Sequence, residues 1–159
     1  MVTLTPMTAE EYAAWYDEAV AAYAQERVRA GNASPEEAAD QARTSFEQLL
    51  PRGLDTPLQH LYAIRGDGGV QVGVIWLAGG QPSLGLPGGT GFIYDLTVFP
   101  EFRRKGYGRA AMLAIEAEAR ALGLTALALH VFGHNATARR LYESIGYTPT
   151  NINMRKEIG

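Results

Sequence analysis

The residues whose types and spacing most clearly suit chemistry lie in a basic loop that also contains two glycines: Arg103-Arg104-Lys105-Gly106-Tyr107-Gly108-Arg109. The loop follows Ile93 to Val98, whose residues favour a strand, and it precedes a stretch with helical periodicity. The first N–H groups of a helix have no partner inside it, and the helix dipole attracts negative charge there. Glycine lets a diphosphate approach the backbone closely, and arginine adds forked charged donors. The spacing therefore predicts an anion-binding loop at the start of a helix.

Two common phosphate motifs do not match this loop. The Walker loop needs G-x-x-x-x-G-K-[ST], which the sequence lacks, and the dinucleotide fingerprint needs a third glycine where Ala111 stands. A nucleotide-binding protein is therefore disfavoured. The plain alternative at this point is an ordinary basic loop that precedes a helix and binds nothing.

A second stretch combines a strand, an asparagine and a tyrosine. Leu127 to Val131 favours a strand, and Asn135 then opens a helical stretch that contains Tyr142. A tyrosine with a pKa near 10 is protonated at neutral pH and can donate a proton. Tyr142 also lies on the apolar stripe of its helix, so packing in the core is the competing interpretation.

Both stretches resemble the signatures of the GNAT superfamily of N-acetyltransferases. The matching patterns are Arg103-x-x-Gly106-x-Gly108 and Asn135-x-x-Ala138-x-x-Leu141-Tyr142, the second followed by Gly146-Tyr147. The resemblance spans Phe92 to Tyr147 and is nearest to an uncharacterised bacterial branch, so it supplies no substrate. It implies acetyl-CoA as cosubstrate and direct transfer of the acetyl group from the thioester to a primary amine in a ternary complex. The amine could belong to a small molecule, a peptide or a protein.

The resemblance also implies roles for individual residues. Backbone N–H groups from Arg104 to Arg109 would bind the pyrophosphate, and the strand from Leu96 to Val98 would bond the pantetheine. The N–H of Val98 would polarise the thioester carbonyl, Asn135 would bond the pantetheine arm, and Tyr142 would protonate the departing thiolate. The cofactor-binding residues implied in this way are Leu96, Val98, Arg103, Arg104, Lys105, Gly106, Gly108, Arg109, Asn135 and Tyr142.

The general base is assigned by proximity along the sequence. Asp95 lies in the strand beside the proposed thioester, and an acidic residue on this strand often serves the family as base or amine anchor. His130 is a rival because the reference pKa of histidine is about 6.5, although its apolar strand favours a satisfied core histidine. His134 is expected to cap or precede the last helix, and Glu101 is expected to be solvated.

Composition narrows the class of protein and its partners. The chain has 159 residues with 47% hydrophobic and 19% charged residues, which is typical of one globular domain over 1–159. The net charge of −3 disfavours a nucleic-acid partner, and the absence of cysteine excludes a thiol-linked acyl-enzyme. No apolar run of about 18 residues and no signal peptide are recognised, so we expect a cytoplasmic protein with no membrane partner. The spacing of the three histidines predicts no metal site, and a homodimer remains open.

The predicted elements give an α/β (α+β) fold. We expect helices over about 8–31, 34–50, 107–122 and 135–145, and strands over 2–5, 60–65, 70–77, 92–98, 125–131 and 151–155. Capping boxes are expected at Thr8 and Ser34, and the strand over 125–131 is expected to be central because its apolar content is nearly continuous. Ile152 and Met154 alternate with polar residues in the last strand.

The resulting architecture is a GNAT-like single domain, with a mixed and mostly antiparallel central sheet and helices on both faces. The first two helices and the loop over Ala78–Gly91 should form the acceptor groove. The alternative function is a catalytically silent module that binds CoA or acyl-CoA.

Overall fold

The computed structural model describes residues 1–80 and 86–159, so part of the predicted loop over Ala78–Gly91 lies outside the described residues. The helices are α1 (Ala9–Arg29), α2 (Pro35–Leu49), α3 (Tyr107–Ala121) and α4 (Ala136–Ser144). The strands are β1 (Thr3–Pro6), β2 (Gln59–Arg65), β3 (Gln71–Ala78), β4 (Thr90–Val98) and β5 (Ala126–Leu129). They form one sheet in the order β1-β2-β3-β4-β5. All neighbours are antiparallel except β4 and β5, which confirms the mixed, mostly antiparallel sheet.

One face of the sheet is covered by α1 and α2. Trp15 of α1 and Phe46 of α2 pack against Trp76 of β3, with ring centroids 5.6 to 6.0 Å apart. The capping box at Thr8 forms as predicted, because the Thr8 hydroxyl accepts from the N–H of Glu11 while the Glu11 carboxylate accepts from the N–H of Thr8. The box predicted at Ser34 is wrong, since its side chain makes no capping hydrogen bond.

The opposite face is covered by α3, with α4 beside it. Met112 and Ile115 of α3 are completely buried against Ile64, Ile75 and Leu77 of the sheet. Tyr142 and Ile145 of α4 pack at the margin of this cluster. Helices therefore lie on both faces, as the sequence predicts.

A β-bulge in β4 determines which side chains reach the α1 face. Trp76 pairs with Asp95 whereas the next residue of β3, Leu77, pairs with Ile93, so Tyr94 is the extra residue. Tyr94 packs with the α1 and α2 cluster, and Asp95 bonds to Trp15 of α1. The bulge thus turns two successive side chains toward α1.

Near the C-terminus, the strand predicted over 125–131 forms but its central position is wrong, and the strand predicted over 151–155 is absent. β5 is shorter than expected and lies at the edge of the sheet, where it pairs only with Thr90 to Ile93 of β4. Its apolar residues are only half-buried, because α3 and α4 cover one side of a strand that has one neighbour. The strand expected at Ile152 and Met154 does not form, since residues 147–159, all of them described, contain neither helix nor strand. An alternating pattern favours a strand, but a strand also needs a neighbour that pairs with its backbone groups, and residues 151–155 pair with none of the described strands.

No helix in the described chain is long and apolar enough to cross a membrane.

Candidate active site

A cleft opens where β4 and β5 stop pairing. The paired stretch ends at Ile93 and Leu129, while β4 continues to Val98. The cleft has a volume of about 130 Å³, and its lining comes from three elements. These lining residues are Ile93, Tyr94, Asp95 and Leu96 of β4, Leu129 to Phe132 at the end of β5, and Asn135, Ala138 and Tyr142 at α4.

Asp95 is held in the cleft wall by two side-chain donors. The indole N–H of Trp15 donates to Oδ2 over 2.9 Å, and the hydroxyl of Thr97 donates to Oδ1 over 2.9 Å. Burial raises the pKa of Asp95 above its ordinary value, while the hydrogen bonds from Trp15, Thr97 and the backbone of Leu96 oppose that rise. The carboxyl group is therefore oriented by both of its oxygens and is easier to protonate than a solvated aspartate.

Tyr142 comes to the same cleft from α4. Burial raises the pKa of its phenol, and the negative charge of Asp95 raises that pKa further. The ring of Tyr147 packs edge-on against Tyr142 at 6.1 Å, and burial with the nearby Glu116 raises the pKa of Tyr147 to about 12. Tyr142 thus remains a proton donor at neutral pH.

Asn135 is the N-cap of α4. Its Oδ1 accepts from the N–H of Ala138 over 3.2 Å, which leaves its amide NH2 as the group that can face a ligand. His134 precedes the last helix, as one of its two predicted placements has it, but it is not the cap because Asn135 takes that position. The His134 ring instead contacts the carboxylate of Glu26 on α1. This contact joins the segment after β5 to the C-terminal end of α1.

His130 is not the core histidine that the sequence favoured. Its side chain is exposed, and its ring lies edge-on to Phe132 at 4.8 Å. The reason is that β5 ends at Leu129, so His130 already belongs to the irregular segment that borders the cleft.

The basic loop lies at the end of β4 and begins α3. Arg104 and Gly106 both have positive φ, 62° and 83°, which wraps the backbone into a tight turn. The first hydrogen bond of the helix joins the N–H of Ala110 to the carbonyl of Gly106, so the N–H groups from Tyr107 to Arg109 have no helical acceptor. The N-cap glycine has no side chain to satisfy them, and the first turn reads Tyr107-Gly108-Arg109-Ala110 without an acid. In contrast, α1 and α2 each have two glutamates in the first turn.

The loop side chains are partly engaged within the protein. Arg103 donates to the carbonyl of Val98 over 2.9 Å, Arg109 donates to Ser144 over 3.3 Å, and Lys105 lies 5.7 Å from the ring of Phe102. A Cβ at Gly108 would lie 3.4 Å from Leu141, so the start of α3 approaches α4 closely. The structure therefore brings Leu96, Asn135 and Tyr142 into the cleft lining, whereas Val98 and the residues from 103 to 109 are not part of it. Gly108 of the loop lies close to Val98 of β4.

Trp15 and Thr97 are the residues of this site that sequence reasoning missed as functional candidates. Trp15 is a buried residue of α1, and a buried indole N–H needs a hydrogen-bond acceptor. Among residues 1–80 and 86–159, no group of three or more potential ligand side chains is placed to bind a metal ion.

Comparison with known families decides the class of protein. The acetyltransferase (GNAT) family model matches residues 14–147. The chain belongs to the GNAT acetyltransferase family. This GNAT chain is 39% identical to the uncharacterized N-acetyltransferase YycN of Bacillus subtilis strain 168 over 157 residues, which cover 99% of each chain. The crystal structure of YycN superposes with a TM-score of 0.93 at 38% identity, again over 99% of each chain.

A more distant and local similarity links this GNAT chain to an enzyme with a named substrate. It is 35% identical over 60 residues to the [ribosomal protein bS18]-alanine N-acetyltransferase of Escherichia coli K12, covering 38% of this chain and 40% of that one. The family match and the full-length relatives confirm the GNAT fold and an enzyme of the acetyltransferase class, as the sequence predicts.

Proposed function

We propose that this chain transfers an acetyl group from acetyl-CoA directly to a primary amine while both substrates are bound. One observation carries the proposal: Tyr142 and Asp95 line one cleft beside β4, and a helix start with free N–H groups follows the end of that strand. The first two groups suit proton transfer, and the helix start suits the pyrophosphate of the cosubstrate.

The cosubstrate would run from the basic loop along the open side of β4. Beyond Ile93, no described strand lies beside β4 on its β5 side, so the amides of pantetheine can bond to its backbone. The N–H of Phe99 donates to Val72 of β3, and successive N–H groups of a strand point in opposite directions. The N–H of Val98 therefore points away from β3, to the open side of β4, which supports its proposed role as donor to the thioester carbonyl.

The proposed reaction forms one bond and breaks one. The amine nitrogen attacks the thioester carbon, the carbon–nitrogen bond forms, and the carbon–sulfur bond breaks after the tetrahedral intermediate. The departing thiolate takes a proton from the phenol of Tyr142, and the amine loses a proton through Asp95, directly or by a water. An alkylamine with a pKa near 10 is neutral in only about one molecule in a thousand at pH 7, so a carboxylate that binds the ammonium and accepts its proton is useful. Burial of Asp95 supports this role, because a raised pKa makes the transfer less uphill.

The acceptor is proposed as an amine on chemical grounds. The Escherichia coli relative is named for acetylation of an alanine of a ribosomal protein, which supports an amine of a peptide as one candidate. A small-molecule amine is the other candidate. A cytoplasmic location and a single domain over 1–159 stay predictions.

The test is release of free thiol from acetyl-CoA in the presence of an amine panel. The panel should contain alkylamines, amino sugars and peptides with a free N-terminus or lysine, and mass spectrometry should find one acetyl group on the acceptor. We expect amine-dependent thiol release. If the protein binds CoA but no amine accelerates thiol release, it is the silent CoA-binding module.

Substitution of Gly108 tests the cosubstrate site separately. Gly108→Glu introduces bulk and negative charge among the free N–H groups, so calorimetry should show loss of CoA affinity. Leu113→Glu adds the same charge at a 46% exposed position of α3 and serves as the matched control. Unchanged affinity in a folded Gly108→Glu protein would contradict the proposed pyrophosphate site.

A further inference from the structure

The start of α3 packs on the β2–β3 hairpin through the ring of Tyr107. Tyr107 is the first residue of α3, and its half-buried side chain packs against the apolar cluster on this face of the sheet. A Cβ at Gly66, which follows β2, would lie 3.0 Å from Cε1 of the Tyr107 ring and 2.9 Å from Cγ1 of Val72. The ring therefore occupies space that a side chain at position 66 would need.

Gly66 is needed for space rather than for backbone conformation. Its φ of −90° and ψ of −157° are extended and open to other residues. The next glycines of the same turn differ: Gly68 and Gly69 have φ of 72° and 77°, and a Cβ at either would meet no described atom within 4 Å. Gly66 thus marks a close approach of the Tyr107 ring to the hairpin.

The same ring closes the base of the basic loop. Phe102 directly precedes Arg103, and its ring lies edge-on to that of Tyr107 with the centroids 6.4 Å apart. The ammonium of Lys105 lies 5.7 Å from the centroid of Phe102. The two rings flank residues 103–106, so their contact joins the two ends of the loop and supports it on the hairpin.

A second contact holds the first turn of α3 from α4 and β4. A Cβ at Gly108 would lie 3.4 Å from Leu141 of α4 and 3.8 Å from Val98 of β4. The helix start is therefore supported both by the hairpin, through Tyr107, and by α4 and β4. Removal of the ring would leave only the second support, and the first turn would be free to tilt toward the hairpin.

We propose that Tyr107 is a positioning residue: its ring, packed against Gly66, aims the free N–H groups at the start of α3 toward the pyrophosphate of acetyl-CoA. The inference rests on the proposed function, because it takes this helix start as the pyrophosphate site. The N–H groups from Tyr107 to Arg109 have no helical acceptor, and a hydrogen bond weakens steeply as its angle departs from linear. The direction of the first turn therefore sets the affinity for the anion, and the β2–β3 turn becomes part of the cosubstrate site.

Gly66→Ala tests the contact between the turn and the ring. Val72 is 1% exposed and fixed in the sheet, so the half-buried Tyr107 ring is the group that must move away from the new Cβ. Loss of one hydrogen bond to a charged group corresponds to about 10–100-fold in affinity, and calorimetry with CoA should show a loss of that size.

The matched control is Gly68→Ala, in the same turn. It strains the backbone at a positive φ without reaching the ring, so it should lower stability but keep CoA affinity within about twofold. An unchanged CoA affinity in Gly66→Ala, or an equal loss in both glycine variants, would overturn the proposal.

Substitution of Tyr107 itself separates positioning from a purely structural role. Tyr107→Phe keeps the ring and should keep CoA affinity within about twofold, whereas Tyr107→Ala removes the ring and should lose as much as Gly66→Ala. In the double variant the new Cβ has no ring to displace, so CoA affinity should equal that of Tyr107→Ala alone. Urea unfolding should still show a further loss of stability, because the Cβ still meets Val72. Affinity losses that multiply in the double variant, or a Tyr107→Phe protein as weak as Tyr107→Ala, would contradict positioning by the ring.

Gly108→Glu distinguishes failure of this inference from failure of the proposed site. If Gly108→Glu abolishes CoA binding while Gly66→Ala behaves like Gly68→Ala, the pyrophosphate site stands and Tyr107 serves only to pack the core. If Gly108→Glu leaves CoA affinity unchanged, the helix start is not the pyrophosphate site, and the role of Tyr107 is refuted with it. All of these calorimetric measurements use CoA alone and need no acceptor amine.

Discussion

Replacing Trp15 by phenylalanine removes the indole N–H that bonds to Asp95 while keeping an aromatic ring in the core. The lost bond is 2.9 Å long and has a carboxylate acceptor. Hydrogen bonds to charged groups contribute about 1.5–3 kcal/mol. Loss of this donor should raise the already raised pKa of Asp95 further, because the ionised carboxylate loses a hydrogen bond.

The raised pKa of Asp95 determines how the free energy of unfolding changes with pH. The pKa of Asp95 in the folded protein lies above the unfolded value of about 3.9, so its favourable contribution to folding is present at low pH. That contribution is lost as the pH rises through the folded pKa. Trp15→Phe should raise the pKa of Asp95 in the folded protein, so more of its contribution to stability is lost at high pH. The variant should therefore be destabilised more at about pH 8 than at about pH 4, by roughly 1.5–3 kcal/mol.

Urea unfolding at the two pH values measures this difference, with circular dichroism as the signal. The matched control is Trp76→Phe, because the indole of Trp76 donates to the neutral Oε1 of Gln59 over 2.6 Å. Loss of packing affects both variants at every pH, so only Trp15→Phe should show the extra penalty at high pH. Equal penalties at both pH values for Trp15→Phe would refute the idea that the indole stabilises a charged Asp95.

Three further substitutions test the cleft and the sheet. Tyr142→Phe should lower kcat by about 10²–10⁴-fold with little change in acetyl-CoA affinity. If kcat changes by about twofold or less while the chemical step limits the rate, Tyr142 serves only to pack the core. Asp95→Asn should lower kcat/KM at neutral pH and recover part of it at high pH, where the amine deprotonates unaided; an unchanged pH–rate profile would contradict its role. Gly73→Ala places a Cβ 2.2 Å from the Thr97 carbonyl oxygen and should lower the free energy of unfolding by about 1–3 kcal/mol, whereas Gly133→Ala, with no atom within 4 Å, should change it little.

Local chemistry was predictable from the sequence because it depends on neighbours along the chain. The Thr8 capping box, the β2–β3 hairpin and the glycine loop before α3 all rest on spacings of a few residues. The same holds for the placement of Tyr142 on α4, whose helical period brings it to the cleft.

Contacts between distant parts of the chain were not predictable in the same way. The partners Trp15 and Asp95 are 80 positions apart, and periodicity describes only which face of an element is apolar. β5 was expected to be central because apolar content indicates burial. The burial of a strand also depends on how many strands lie beside it, and β5 pairs with β4 alone among the described strands. His130 was misplaced because β5 ends at Leu129, one residue before it.

The β-bulge at Tyr94 reverses the parity of β4. Before the bulge, the even positions Phe92 and Tyr94 lie on the α1 side, and after it the odd positions Asp95 and Thr97 do. A mutational scan that samples every second residue would therefore cross from one face of the sheet to the other within a single strand. In a strictly alternating strand, one of the two neighbours Tyr94 and Asp95 would face α3, whereas the extra residue lets both lie on the α1 side. One inserted residue thus decides that the acid and a tyrosine next to it share a face of the sheet.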